Sequence, residues 1–312
     1  MNGKILITDE VHLVLVEGLE AKGFRVNYQP KITPEQVLAA IPDYEGLIVN
    51  SKVYVGKEIL DKAVKLKFVC RAGSGLEIID TDYAKLKNIV AMNAPEGNRV
   101  AVAEHALGML LGLMNNLPKA DAEVRKYQWL REENRGHELS GKTVGLIAYG
   151  NNAQAFAKLL RGFDVKILAY DKYYHHFSDD HVTEASLQQI FDEAEVVSLH
   201  LPLTPETTYM IDHVFLNRFK KPIWLVNTSR GKVLNTADLI LSIQERKVIA
   251  AALDVLENEK LNHLSDAEKE IFEQLISNKK VFLTPHIAGW THESKRRIAE
   301  VLLHKIMNVY SL

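Results

Sequence analysis

The chain has 312 residues, of which 47% are hydrophobic and 25% charged, with a formal net charge of −2. These values suit a soluble globular protein of about two domains. With no basic block, no apolar run of membrane-spanning length and no signal-peptide pattern, nucleic acid, membrane and secretion are not expected.

In chain order, Lys4–Thr8 reads as a strand, Val11–Lys22 as a helix ending at Gly23, and Arg25–Tyr28 as a second strand. Thr33-Pro34-Glu35-Gln36 reads as a helix start, with Thr33 as cap and Gln36 closing a capping box. Gly46–Asn50, Lys67–Cys70 and Ile89–Asn93 are three further strands, with a helix at Lys57–Val64. Such alternation predicts a parallel α/β layer. Cys70 is the only cysteine, so it makes no internal disulfide. It suits a reducing cytoplasm, and its place at the end of an apolar strand points to packing. The loops after these strands hold Ser51-Lys52 and Arg71-Ala72-Gly73-Ser74-Gly75, where Gly73 and Gly75 would bare backbone N–H groups towards an anion. Ala94–Asn98 reads as a linker. Val100–Met114 is a helix apolar on nearly every side, to be buried by its own chain or by a partner. A second helix around Ala120–Leu130 and a polar loop, Arg131–Ser140, follow.

The stretch Thr143–Asp171 reads strand, tight turn, helix, strand. Val144, Leu146 and Ile147 form the first strand. Phe156, Leu159, Leu160 and Phe163 give the helix one buried face, and Gly162 is expected to close it. The turn Ala148-Tyr149-Gly150-Asn151-Asn152-Ala153 approximates the dinucleotide pattern G-x-G-x-x-G/A, with Ala148 in place of the first glycine. Roughly 20 residues after the turn, the second strand delivers Asp171, suited to hold the ribose hydroxyls of NAD and to repel a 2′-phosphate. Glu195–Leu201, Pro222–Asn227, Val248–Leu253 and Val281–Leu283 bring the strands of this half to six. The histidines and acids between Tyr173 and His181 look like a metal cluster at first sight, but the run reads as a solvated loop and no metal is expected.

Three residues follow strands of this half: Arg230 in Asn227-Thr228-Ser229-Arg230-Gly231, Glu259, and His286 after Pro285. Open α/β sheets place ligands at such ends. An arginine can grip a carboxylate in a fork. A histidine can exchange a proton with a hydroxyl or carbonyl oxygen, and a neighbouring carboxylate would raise its pKa and fix its tautomer. The set suits a 2-hydroxy or 2-keto acid.

With these residues in view, the chain resembles the D-2-hydroxyacid dehydrogenases, most closely the 3-phosphoglycerate dehydrogenase branch. The resemblance covers almost the whole length. It is carried by Arg71–Gly75, Val102-Ala103-Glu104-His105-Ala106, Leu139–Thr143, His200-Leu201-Pro202-Leu203-Thr204, Asn227–Gly231, Ala252-Leu253-Asp254-Val255 and Pro285-His286-Ile287-Ala288-Gly289. It implies two doubly wound parallel-sheet domains, a Rossmann NAD-binding domain (99–289) inserted into a flavodoxin-like substrate domain (1–98 and 290–312). It implies Arg230, Glu259 and His286 as the catalytic set. Cofactor contacts are implied for Ser74, Ala148, Gly150, Asn151, Asn152, Asp171, Leu201, Thr228, Arg230, Asp254, His286 and Gly289. Substrate contacts are implied for Ser51, Lys52, Arg71, Gly73, Ser74 and Gly75, with Arg135 reaching in from a partner subunit. It further implies a cytoplasmic homodimer through the region around Val100–Arg135. The chain stops at Leu312, so the regulatory C-terminal domain of longer members, and serine feedback through it, are not expected.

Two positions depart from the family pattern. Ala148 replaces a glycine, and Lys52 stands where arginine is common, bringing charge without a bidentate fork. The favoured expectation is an NAD-dependent 3-phosphoglycerate dehydrogenase of serine biosynthesis. A glyoxylate or hydroxypyruvate reductase, an NAD(H)-sensing corepressor-like protein and a degenerate member without NAD are the alternatives.

Overall fold

The structure, a computed structural model, describes residues 3–310. The chain divides into two compact units, Met1–Arg99 with Trp290–Leu312 and Val100–Gly289. Met1, Asn2, Ser311 and Leu312, the outermost residues of the expected substrate domain, lie outside the described residues.

In the first unit, β1 (Lys4–Ile7), β2 (Arg25–Tyr28), β3 (Gly46–Val49), β4 (Phe68–Arg71) and β5 (Val90–Met92) pair in the order β2-β1-β3-β4-β5, all parallel. This is the flavodoxin-like order, with its switch point between β1 and β3. Both sheet faces are covered. Leu6, Leu47, Val49 and Val69 pack on one side, and Ile5, Ile7, Ile48, Phe68 and Cys70 on the other. That alternation within largely apolar strands is what a doubly covered parallel sheet requires. The capping box expected at Thr33 is present, with Gln36 Oε1 accepting from Thr33 N.

The second unit holds β6 (Thr143–Ile147), β7 (Lys166–Tyr170), β8 (Val182–Glu184), β9 (Val196–Leu199), β10 (Ile223–Asn227), β11 (Val248–Leu253) and β12 (Val281–Leu283). They pair in parallel as β12-β11-β10-β9-β6-β7-β8. The winding reverses between β6 and β9, as in a dinucleotide-binding sheet. Val144, Leu146, Val226 and Ala252 line one face and Ile147, Val197, Leu225 and Ala251 the other. Phe191 lies fully buried with Phe215 and Phe219 edge-on, each ring centroid 4.9 Å away.

Four expectations need correction. The Ala94–Asn98 segment is no linker, because the helix starts at Pro95 and runs to Met114. Proline is at home in a first helical turn, where its missing N–H costs nothing. Gly97 is there for packing: a Cβ would meet the Ile298 backbone N and Cα at 2.6 Å. Second, the unit has seven strands among the described residues, because β8 adds to the six expected. With three residues and only Val182 buried, β8 is too short to show a period. Third, the helix after the turn ends at Leu160, followed by a 3₁₀ turn, Arg161–Phe163. Gly162 lies inside that turn, and Asp164 takes the left-handed φ of 51°. Fourth, the helix placed around Ala120–Leu130 spans Leu117–Val124.

The Pro95–Met114 helix buries Ala103, Ala106, Met109, Leu110, Leu113 and Met114 in the core of the second unit, so its own chain covers most of the apolar surface. Among the described residues, no single helix is long and apolar enough to cross a membrane.

Phe191→Ala is expected to lower the unfolding free energy by about 3–5 kcal/mol, since the aromatic cluster leaves little room to collapse into the cavity. Urea denaturation checks it, and a loss below about 1 kcal/mol would contradict the packing described.

Candidate functional site

The candidate residues of the second unit sit at the carboxyl ends of its strands. The turn after β6 passes through Ala148, whose φ is 69°. Left-handed backbone is resisted by a Cβ, so the turn keeps the conformation for which glycine is the ordinary residue. Gly150 has extended backbone and caps the helix Asn151–Leu160 with no side-chain hydrogen bond. A Cβ placed on Gly150 would meet nothing within 4 Å. Unsatisfied amides and open space at this helix start make a seat for an anion.

Asp171 follows β7. Its carboxylate accepts from Tyr149 N at 2.8 Å, from Tyr173 N at 2.9 Å and from Tyr174 N at 3.0 Å. Burial works to raise its pKa, but these backbone donors prevail and hold it below the usual carboxylate range. Asp171 therefore ties the turn to the end of β7, a task beyond the ribose contact expected of it.

Among the described residues, buried side-chain atoms without a hydrogen-bond partner are Asn152 Oδ1 on that helix start, His200 Nε2 and Thr228 Oγ1 just after strands, and Ser198 Oγ inside β9. Burial pushes the His200 pKa down to about 4, so its ring is neutral near pH 7. Orphaned buried polar atoms beside an open anion seat fit a dinucleotide. Leu201, next to His200, packs against the core.

The β10 loop is built around Asn227, which is fully buried. Its Oδ1 accepts from Ser229 N and Ser229 Oγ, and its Nδ2 donates to Arg230 O at 3.1 Å. Arg230 Nη1 donates to Ser229 O at 2.8 Å. A Cβ on Gly231 would collide with the Leu256 carbonyl and Glu257 N, so only glycine lets this loop lie against the loop after β11. In that loop, Glu257 Oε1 accepts from Thr236 N and Asn258 Nδ2 donates to Glu268, which fixes the two residues before Glu259.

His286 Nδ1 lies 2.9 Å from the Glu259 carboxylate. The hydrogen bond to Glu259 raises the histidine pKa. Burial opposes it, the Glu259 and Asp254 charges reinforce it, and Arg230 opposes it. His286 has a φ of 55°, another left-handed non-glycine residue. Asp254 holds it there. His286 N donates to Asp254 O at 2.7 Å. The Asp254 carboxylate accepts from Ile287 N at 2.9 Å, from Ala288 N at 2.8 Å and from Thr284 Oγ1 at 2.5 Å. His105 Nε2 stands 3.5 Å from the same carboxylate. Asp254 is 1% exposed. Burial disfavours its charge, yet these donors keep its pKa below the usual carboxylate range. Gly289 ends the unit directly after this loop.

In the first unit, Asp9 fastens the β3 loop, accepting from Asn50 N at 3.0 Å and Ser51 N at 3.4 Å. Lys52 Nζ donates to the carbonyls of Pro30 and Ile32, at 2.6 and 3.1 Å. Arg71 Nε donates to Asn50 O, and its Nη1 pairs with Glu77 at 2.7 Å. Gly73 lies beside both: its virtual Cβ is 3.5 Å from Asn50 Oδ1 and 3.6 Å from Arg71 Nε. Ser74 Oγ donates to Asn98, and Ser74 O accepts from Asn93. Gly75 follows in the same loop. Arg135, in the other unit, is exposed and pairs with Glu132 at 2.7 Å. In the run from Tyr173 to His181, His175 pairs with Glu184, and no metal-holding group of three or more His, Cys, Asp or Glu occurs among the described residues.

Sequence reasoning missed Asp9, His105, Asn227 and Thr284, and did not foresee that Asp254 also holds the His286 loop. A signal existed for some of them. Asp9 closes the first strand, as Asp171 closes β7, and Thr284 directly precedes Pro285-His286.

The pattern of the D-isomer specific 2-hydroxyacid dehydrogenase NAD binding domain matches residues 107–288. The hydroxypyruvate reductase of Thermotoga maritima is 35% identical over 272 residues, covering 87% of each chain. The D-3-phosphoglycerate dehydrogenase of Methanocaldococcus jannaschii is 33% identical over 98% of this chain, which spans 57% of that relative's length. The fold resembles the D-lactate dehydrogenase of Aquifex aeolicus, crystallised with NAD and lactic acid. That similarity has a TM-score of 0.82 at 27% identity, over 99% of this chain and 95% of the other.

Ala148→Gly is expected to raise the unfolding free energy by about 1 kcal/mol by removing a left-handed Cβ. Urea denaturation measures this, and NADH titration should show equal or tighter binding. A less stable glycine variant would mean that the methyl's contacts outweigh the backbone strain.

Proposed function

Because the chain belongs to the D-isomer-specific 2-hydroxyacid dehydrogenases, NAD-dependent oxidoreductases acting on a CH–OH group, we propose that it interconverts a small D-2-hydroxy acid and its 2-keto acid. The observation that carries this is the Glu259 carboxylate on His286 Nδ1 at 2.9 Å, in the unit that also holds the turn of Ala148 and Gly150. When bound, NAD supplies or takes the hydride at the substrate C2. The amides at Gly150, Asn151 and Asn152 would hold its pyrophosphate and Asp171 its ribose. Leu201, Thr228, Asp254 and Gly289 of the same unit would complete that set. Arg230 binds the substrate carboxylate in a fork. With Nδ1 given to Glu259, Nε2 of His286 is the nitrogen that delivers a proton to the carbonyl oxygen in reduction and removes it from the hydroxyl in oxidation.

For the substrate, we favour a 2-hydroxy acid carrying a phosphate, 3-phosphoglycerate in the first place, as in the Methanocaldococcus relative, which would serve serine biosynthesis. The carboxyl ends of the neighbouring strands β3 and β4 and the loops after them bring Ser51, Lys52 and Arg71 to one edge of the sheet, with Gly73 and Gly75 following in the second loop. A specific observation supports a second reading, hydroxypyruvate or glyoxylate reduction. Lys52 and Arg71 already hold partners in the chain, and Arg135 pairs with Glu132, so a phosphate must compete for each. The same proposal includes a homodimer through residues 100–135. Leu117, Val124, Tyr127 and Trp129 stand exposed there, an apolar surface for a second copy to cover. A cytoplasmic setting fits the single buried Cys70.

His286→Ala should cost about 10²–10⁴-fold in turnover while the fold survives. Glu259→Gln should move the pH profile. Keto-acid reduction needs protonated His286, so its rate falls as pH rises through the histidine pKa. Without the carboxylate that raises this pKa, the fall occurs at lower pH. An unchanged pH–rate curve would count against the pair.

The substrate reading is checked by comparing kcat/KM on phosphohydroxypyruvate and hydroxypyruvate. A clear preference for the phosphorylated acid is expected, and equal values would promote the reductase reading.

A further inference from the structure

We propose that His105 is a positioning residue for the acid–base pair, acting through Thr284 and Asp254 on the loop that carries His286. The proposal rests on the dehydrogenase reading for the role of His286, and the geometry of the relay is independent of it.

His105 lies on the Pro95–Met114 helix, remote in sequence from the loop it touches. Its Nε2 is 3.0 Å from Thr284 Oγ1 and 3.5 Å from Asp254 Oδ1. Thr284 Oγ1 is in turn 2.5 Å from Asp254 Oδ1. The proton order in this relay follows from donor counting. The Asp254 carboxylate is ionised and can only accept, so the Thr284 hydroxyl spends its single proton there. Facing that hydroxyl, His105 Nε2 must donate, which fixes the tautomer or charge state that carries a proton on Nε2. The sequence is His105 Nε2–H to Thr284 Oγ1–H to Asp254 Oδ1.

What hangs on this relay is the backbone on both sides of His286. Thr284 N donates to Leu253 O, and His286 N donates to Asp254 O. Ile287 N and Ala288 N donate to the two carboxylate oxygens of Asp254. His286 itself is in the left-handed region, which an L side chain resists, so the loop stays in place only while its anchors hold. Oδ1 serves Thr284, Ile287 and His105 together. Losing the donor at His105 would free the Thr284 hydroxyl to rotate and the carboxylate to turn away from the Ile287 amide. The imidazole would then drift relative to Glu259. His105 is 22% exposed in its side chain and touches neither Glu259 nor His286 in any hydrogen bond of the structure, so it acts through others.

The test compares His105→Phe, which keeps bulk and removes the donor, with His105→Gln, which keeps an N–H. NMR titration of the His286 ring, assigned from its loss in His286→Gln, is the readout that needs no turnover. The charged groups acting on that ring are Glu259, Asp254 and Arg230. In His105→Phe the His286 pKa should fall towards that of an ordinary histidine, as contact with Glu259 loosens. The kcat for hydroxypyruvate reduction should fall by up to about 10²-fold, the scale for a misplaced reacting group. NADH affinity should change far less. His105→Gln should recover most of both effects. The proposal is overturned if His286 titrates alike in the Phe variant and the parent, or if Gln is as impaired as Phe. Should the parent reduce no 2-keto acid, the dehydrogenase reading fails, and the titration alone still decides the role of His105.

Discussion

The buried carboxylate of Asp254 is the interaction on which the site depends. A charge this deep survives only when donors surround it, and here two backbone amides, a hydroxyl and a histidine nitrogen do so. The dependence runs both ways. Without the carboxylate, the Ile287 and Ala288 amides would be left unsatisfied on the inside of a tight loop, which costs more than the bonds themselves contribute. The strained backbone of His286 is stable because this network over-determines it. The result is an imidazole whose Nδ1 meets Glu259 and whose Nε2 is left for other chemistry.

Sheet order makes that meeting possible. Strands β10, β11 and β12 are neighbours, and the loops after them carry Arg230, Glu259 and His286 respectively. Residues far apart in sequence thus emerge side by side on one edge. Gly231 closes the remaining gap, since any side chain there would push the Arg230 loop off the Leu256 carbonyl. Across the switch point, Asp171 pins the Tyr149 amide and thereby holds the left-handed turn at Ala148.

The same economy of donors and acceptors shapes the first unit. Asp9 takes the amides of Asn50 and Ser51 at the switch point, so the β3 loop is fastened from within. Lys52 and Arg71 are ordered by carbonyls and by Glu77 rather than left extended in solvent. An anion arriving there would gain from cations already fixed in place, and would have to displace the partners that fix them.

The sequence by itself determined the α/β class, the capping box at Thr33 and most strands to within a residue or two, because apolar β-branched runs and cap chemistry are local properties. The motifs also determined the family, including the NAD-binding half. Tertiary structure decided what depends on packing between distant segments. Pro95 and Gly97 look like breakers in sequence, yet one starts a helix and the other lets that helix pass close to Ile298. Strand β8 exists because β7 offers it a free edge, a fact that its three residues do not announce. Ala148 could be read as a flaw in a turn, but only the backbone shows that the left-handed conformation is kept. His105, Thr284 and Asp254 are separated by long stretches of chain, so no local pattern joins them. Their partnership is created by folding, through the need to satisfy every donor and acceptor around one buried charge.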